Sequence, residues 1–493
     1  MYKLSQYETP LFTSLVEHSK KNPVQFHIPG HKKGQGMDPE FREFIGQNAL
    51  SIDLINIAPL DDLHHPKGMI KKAQQLAAEA FGADHTFFSV QGTSGAIMTM
   101  VMSVCGPGDK ILVPRNVHKS VMAAIIFSGA RPIFIHPEID PTLGISHGMT
   151  IASVKRALEE HPDAKGLLVI NPTYFGFAAD LKHLVEIAHS HGVPVLVDEA
   201  HGVHIHFHED LPMSAMQAGA DMAATSVHKL GGSLTQSSIL NVKEGLVNVK
   251  HVQAIISMLT TTSTSYILLA SLDAARKQLA TEGKRLLAET IHLAQRVRKQ
   301  VNEIPYLYCP GEERLGTDAA FDMDPTKLII SVKDLGITGH DAELWLREKY
   351  NIEVEMSDLY NILCLITLGD TDEEANLLVQ ALQDLSDTCK HQAEEGTEIN
   401  VEIPDIPVLA LSPRDAFYSE AETVPFEEAA GRIIAEFVMV YPPGIPILTP
   451  GEIITAENLE YIQKNLKAGL PVQGPEDMEL KTLRVIKEYK PIV

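Results

Sequence analysis

The chain has 493 residues, with 41 basic and 64 acidic side chains and a formal net charge of −23. Such a surface does not suit a nucleic-acid partner, because binding a phosphate backbone requires clustered lysine and arginine. Hydrophobic residues make up 44% and charged residues 21%, an ordinary globular composition with length for roughly two to four domains. The N-terminus has no signal-like apolar stretch, and no run approaches the ~20 apolar residues that span a bilayer. The expectation is a cytoplasmic protein without membrane association. Cys105, Cys309, Cys364 and Cys389 form no CxxC pair, which argues against a zinc ribbon or redox motif and for reduced thiols.

In chain order, residues 1–50 read as an N-terminal arm. It opens with an amphipathic helix bearing Leu11, Leu15 and Val16, and continues into the loop FHIPGHKKG, punctuated by Pro29, Gly30 and Gly34. Residues 51–275 read as the large domain. Short apolar strands are predicted at His85–Val90, Lys110–Pro114, Arg131–His136, Gly166–Ile170, Val193–Val197, Met222–Ser226 and Ser238–Val242. Helical segments such as Val154–Glu160 and Lys182–Ser190 separate them, the pattern of a mostly parallel, seven-stranded sheet covered on both faces. Residues 276–390 read as a small α/β domain. It is entered by one long helix over 267–302 and carries strands at Lys327–Val332 and Ile362–Thr367 and helices at Asp341–Lys349 and Asp372–Asp387. Residues 391–493 read as a polar linker, His391–Glu420, followed by a C-terminal α+β domain with the run VYPPGIPILTPGE.

Two neighbouring strand ends carry the chemistry. Val195-Leu196-Val197 delivers Asp198, and Ala223–Ser226 delivers Lys229, flanked by His228 and Gly231-Gly232. Pyridoxal phosphate (PLP) needs this pair: an amine to hold its aldehyde as a Schiff base, and a carboxylate to keep its ring nitrogen protonated. Strand alternation points Glu199 away from Asp198. Between Val90 and Val104, Thr93 and Ser94 open an apolar helix, whose N-terminal N–H groups suit either a phosphate or an ordinary cap. His118, in PRNVHKS, reads as a surface residue or a partner for the PLP ring. His201, His204, His206 and His208 would share one face of a strand, but with no cysteine nearby no metal is expected. Met37, Met98, Met100 and Met102 read as core filler.

The ordered strings FHIPGHK, PLDDLHHPKG, GTSGA, RNVHKS, NPTYFG, LVDEAHG, SVHKLGGS, TTTSTSY, YPPGIP and PGE resemble the bacterial Orn/Lys/Arg decarboxylases of PLP fold type I. The likeness is strongest to the short biosynthetic arginine decarboxylases of Bacillus-type bacteria. It implies an aspartate aminotransferase-like large domain of the PLP-dependent transferase fold. By that resemblance Lys229 is the Schiff-base lysine, Asp198 the partner of the ring nitrogen and His118 the ring-stacking group. Thr93, Ser94, Ser226 and His228 are phosphate ligands, and His201 follows DEA where some relatives carry tryptophan. Thr262, within Thr261-Thr262-Ser263, reaches the phosphate of a neighbouring subunit, which implies a homodimer or homotetramer with shared sites.

The implied reaction is decarboxylation of a small cationic amino acid, L-arginine to agmatine in polyamine biosynthesis, with lysine or ornithine as alternatives. An aminotransferase, with Arg432 as its carboxylate anchor, and a non-catalytic homologue are less favoured. A guanidinium prefers a bidentate carboxylate; the acidic candidates are Asp61, Asp62, Glu355, Asp358 and Glu452. The long acid-stress members carry an N-terminal wing domain for which this chain has no room, so their decamer is not expected.

Overall fold

The apolar runs of the first half become β1 (His85–Ser89), β2 (Lys110–Pro114), β3 (Arg131–Ile135), β4 (Gly166–Ile170), β5 (Val195–Asp198), β6 (Met222–Thr225) and β7 (Ser238–Val242). In the computed structural model, which describes residues 4–390, 403–440, 444–467 and 472–487, they form one sheet in the order β1-β7-β6-β5-β4-β2-β3. β2 runs parallel to β3 and β4, and β5 parallel to β6. β7 is antiparallel to both of its neighbours. The predicted strands hold to within two residues. Val193 donates instead to Ala188 O at the end of the preceding helix, and Ser226 caps the next helix rather than extending β6.

The chain is organised as two compact units, Met1–Val104 with Pro194–Ala288, and Cys105–Val193 with Glu289–Val493. In the first unit, the helix Gly92–Val104 packs on β6 and β7 and against the helix Val249–Leu259. The N-terminal helix Pro10–Lys20 buries Leu11 and Leu15 completely and packs on the helix Met69–Phe81. Its free first-turn N–H groups need acceptors. Asp273 Oδ2, on the long helix Tyr266–Asn302, accepts from Leu11 N at 2.9 Å and Phe12 N at 3.2 Å. Arg276 pairs with Asp273 at 2.6 Å and donates to Gln6 O and Glu8 O at 2.7 and 2.6 Å. Removing one member of a buried pair strands the other charge, so Asp273→Ala should cost about 3–5 kcal/mol of stability. Denaturant titration reads that loss, and limited proteolysis should find the first helix newly cleavable; unchanged stability would refute the anchoring role.

The second unit carries β2, β3 and β4 with the helices Lys119–Ser128, Ile151–Glu160 and Leu181–Ser190. It also holds an antiparallel sheet of Lys327–Ser331, Asn361–Leu365 and Met356–Ser357. Leu328, Ile330, Ile362 and Cys364 of that sheet share a core with Leu346, Leu382, Leu385 and Val297, against which Trp345 packs. The C-terminal part forms small antiparallel sheets and the helix Ala456–Lys467 around Ile434, Val438, Ile447, Ile462 and Val485, an α+β arrangement.

The linker expectation holds less well. Residues 391–402 and 441–443, the latter the start of YPPGIP, lie outside the described residues. Pro413–Tyr418 is a helix, capped by Ser412 accepting from Asp415 N. Its Arg414 donates to Phe127 O at 2.8 Å, so this stretch is docked structure. Its Ser-Pro start is a helix-opening signal hidden in a polar, proline-containing context. All four cysteines are buried free thiols. Among the described residues, no helix is long and apolar enough to cross a membrane.

Candidate active site

Asp198 closes β5 after Val195, Leu196 and Val197, which are all fully buried. Burial raises the Asp198 pKa to about 6, against the opposing pull of the Ala200 N–H and of the positive charge on Lys229. The Ala200 contact, 3.1 Å to Oδ1, turns the chain immediately after the strand. Glu199 departs to other partners, accepting from Ala215 N at 2.7 Å and Thr225 Oγ1 at 3.1 Å. Burial raises its pKa to about 7. Two adjacent buried acids with raised pKa values are a recurrent mark of a functional site.

Lys229 sits on the four-residue helix Val227–Leu230 that follows β6. Ser226 stands at its N-cap, but the hydroxyl does not cap the helix; it meets Thr93 Oγ1, which also lies 2.8 Å from Ser238 Oγ. Gly232, at φ +83°, turns the chain away through a conformation that costs other residues energy. His228 Nδ1 donates to Ser237 O at 2.8 Å, so its proton is on Nδ1. Lys229 Nζ lies 2.7 Å from Nε2 of the buried His201. An ammonium at Lys229 would donate a hydrogen bond to that nitrogen.

The first unit thus gathers Thr93, Asp198, His201, Ser226 and Lys229. Ser94 is exposed in the first turn of the helix Gly92–Val104, and Thr262 is exposed between the helices Val249–Leu259 and Tyr266–Asn302. His118 belongs to the second unit, where it is the N-cap of the helix Lys119–Ser128. Ser237 and Ser238 were missed from sequence, because a serine opening a strand carries no local sign of its partner.

The histidine run corrects its premise. His201–His208 forms turns and the short 3-10 helix Ile205–Phe207 rather than a strand, so alternation does not place its side chains on one face. His206 Nδ1 contacts Ser214 Oγ at 2.8 Å. Among the described residues, no group of three or more His, Cys, Asp or Glu could hold a metal ion.

The acidic candidates also separate. Asp61 accepts from the N–H groups of Lys67, Gly68 and Ile70, and Asp358 from those of Tyr360 and Asn361, which fixes their loops. Glu452 is fully buried against Arg115. Asp62 accepts from His64 N, and the exposed Glu355 from the Tyr174 hydroxyl. Arg432 pairs with Glu422 and donates to Ile486 O, a structural engagement within the C-terminal part.

The strand order with β7 reversed, and the carboxylate and amine at the ends of β5 and β6, define an aspartate aminotransferase-like α/β enzyme of the PLP-dependent transferase fold. Residues 9–374 match the Orn/Lys/Arg decarboxylase major domain, and residues 400–470 the C-terminal domain of the same family. The chain belongs to the Orn/Lys/Arg decarboxylase family. It is 82% identical to an arginine decarboxylase of Bacillus anthracis, covering 100% of both chains. It is 72% identical to the arginine decarboxylase of Bacillus subtilis, covering 99% of this chain and 100% of that one. Its fold is similar to that of the lysine decarboxylase LdcF of Francisella novicida, with a TM-score of 0.83 at 23% identity, covering 97% of this chain and 81% of that one.

Proposed function

We propose that the protein is a PLP-dependent decarboxylase that converts L-arginine to agmatine and carbon dioxide, a step that feeds polyamine synthesis. The observation that carries the substrate is full-length identity of 72–82% to proteins named arginine decarboxylase. The residues present fit the cofactor: a buried carboxylate within the field of an exposed lysine, and hydroxyls at the opening of an adjacent helix. When bound, PLP supplies the electron sink for the bond broken at the substrate Cα.

Lys229 would hold the cofactor aldehyde, and Asp198 would keep a proton on the ring nitrogen. His118 would stack on the ring. Thr93, Ser94, Ser226 and His228 would bind the phosphate together with Thr262 of a neighbouring subunit, making the working enzyme a homodimer or homotetramer. His201, 2.7 Å from Nζ, would accept the hydrogen bond of the Lys229 ammonium and serve as its proton acceptor when the neutral amine is needed to attack a carbonyl. With carbon dioxide gone, Cα must regain a proton, and Lys229, relayed by His201 at 2.7 Å, is its donor. Residues 1–50 form the arm, 51–275 the cofactor domain, 276–390 the small domain and 391–493 the linker and C-terminal domain. Four buried free thiols suit the reducing cytoplasm.

Turnover of purified protein on arginine, lysine and ornithine tests this, with carbon dioxide and the product amine both quantified. Arginine should lead in kcat/KM by roughly 10²-fold or more, as expected of a site built to pair with a guanidinium. Preference for lysine or ornithine would overturn the substrate; ketoacid formation in place of carbon dioxide would overturn the reaction.

A further inference from the structure

The second unit contains a buried ion pair that the proposed chemistry does not use. Arg115 and Glu452 are 1% and 0% exposed. Arg115 Nη1 and Nη2 reach the two Glu452 carboxylate oxygens at 2.5 and 2.8 Å. Nε donates to Pro446 O at 2.8 Å, and Nη2 also donates to Ile447 O at 3.1 Å. The Phe134 ring covers the guanidinium, 4.6 Å from its centroid, and Thr449 N donates to Glu452 at 2.7 Å. A single arginine thereby gathers the segment Pro446–Glu452 around itself.

A buried ion pair is weak evidence of stabilisation, since apolar residues of similar volume often serve a core as well. What a guanidinium adds is geometry, because its planar fork fixes the direction of every bond it makes. Arg115 follows β2, three residues before His118. Its backbone N–H is tied to Ile135 O at 2.8 Å, so both its backbone and its side chain are held. On the far side, His118 Nδ1 accepts from Ser120 N at 3.2 Å and caps the helix Lys119–Ser128. Only Asn116 and Val117 lie between the two fixed points.

We infer that Arg115 and Glu452 are positioning residues through which the C-terminal part aims the His118 ring. The inference rests on the proposed ring-stacking role of His118. It places part of the cofactor site under the control of the PGE segment, more than 300 residues further along the chain. Removing the Glu452 carboxylate frees the guanidinium to move, and the turn between Arg115 and His118 relaxes with it.

A double-mutant cycle on PLP affinity tests this, with apoprotein titrated by PLP and read through the circular dichroism of the bound cofactor. His118→Asn keeps a good capping residue while removing the ring, and should weaken PLP binding roughly tenfold. Glu452→Gln should weaken it to a similar degree, yet add less than about twofold on top of His118→Asn, the non-additivity of residues that act through one another. Should Glu452→Gln fail to fold, Arg115→Met with Glu452→Met removes both charges together and avoids a stranded one; the same cycle then applies. A Glu452 effect that multiplies fully with that of His118→Asn, or no effect on PLP affinity, overturns the positioning role. Unchanged affinity in His118→Asn alone overturns the stacking role, and the positioning role with it.

Discussion

Lys229→Ala should lower kcat by at least roughly 10³-fold, the scale of a lost acid–base group, and should abolish the visible absorption band of protein reconstituted with PLP. The side chain is exposed on a four-residue helix and gives up its contact to His201, so the substitution should cost folding stability no more than about 1.5 kcal/mol. That contrast separates chemistry from structure. Borohydride reduction of the reconstituted wild type, followed by peptide mass analysis, should place the cofactor on Lys229. Retention of more than a hundredth of the activity would move the amine elsewhere.

Asp198→Asn should lower kcat roughly 10²–10³-fold at saturating PLP, the usual cost of removing one preorganised electrostatic group from an active site. Its effect on the apoprotein should have the opposite sign. Burial raises the Asp198 pKa from 3.8 to about 6, so between those values the folded chain holds a proton that the unfolded chain has released. Stability therefore falls as pH rises through that window, by about 3 kcal/mol in all. Asparagine carries no such charge. The variant apoprotein should be more stable than wild type above about pH 6 and no different below about pH 4. Thermal melts across that range decide it, and an asparagine variant less stable at neutral pH would show that the carboxylate is compensated by partners other than those described.

The sheet was legible because its strands are short, continuous apolar runs that alternate with helical segments, and the expected boundaries are displaced by only one or two residues. Direction was not legible. Ser238–Val242 reads like its neighbours, and only its insertion between β1 and β6 shows that it runs the other way. The histidine run misled because alternation in sequence mimics a strand, whereas Gly202 N bonds back to Glu199 O and folds the segment into turns. The docked helix Pro413–Tyr418 was hidden by a polar composition that suits both a linker and a surface helix.

By itself, the sequence determined that an acid and an amine emerge at the ends of two successive strands and that the motifs around them follow one family's order. These are local properties, set by apolar periodicity, glycine turns and residue identity. Tertiary structure decided which side chains meet: His201 against Lys229, Ser226 and Ser238 against Thr93, and Glu452 against Arg115 rather than in solvent. Such pairings join residues up to 337 positions apart. Burial then set the charge on Asp198, because the cost of desolvating a carboxylate depends on everything packed around it and not on its neighbours in the chain.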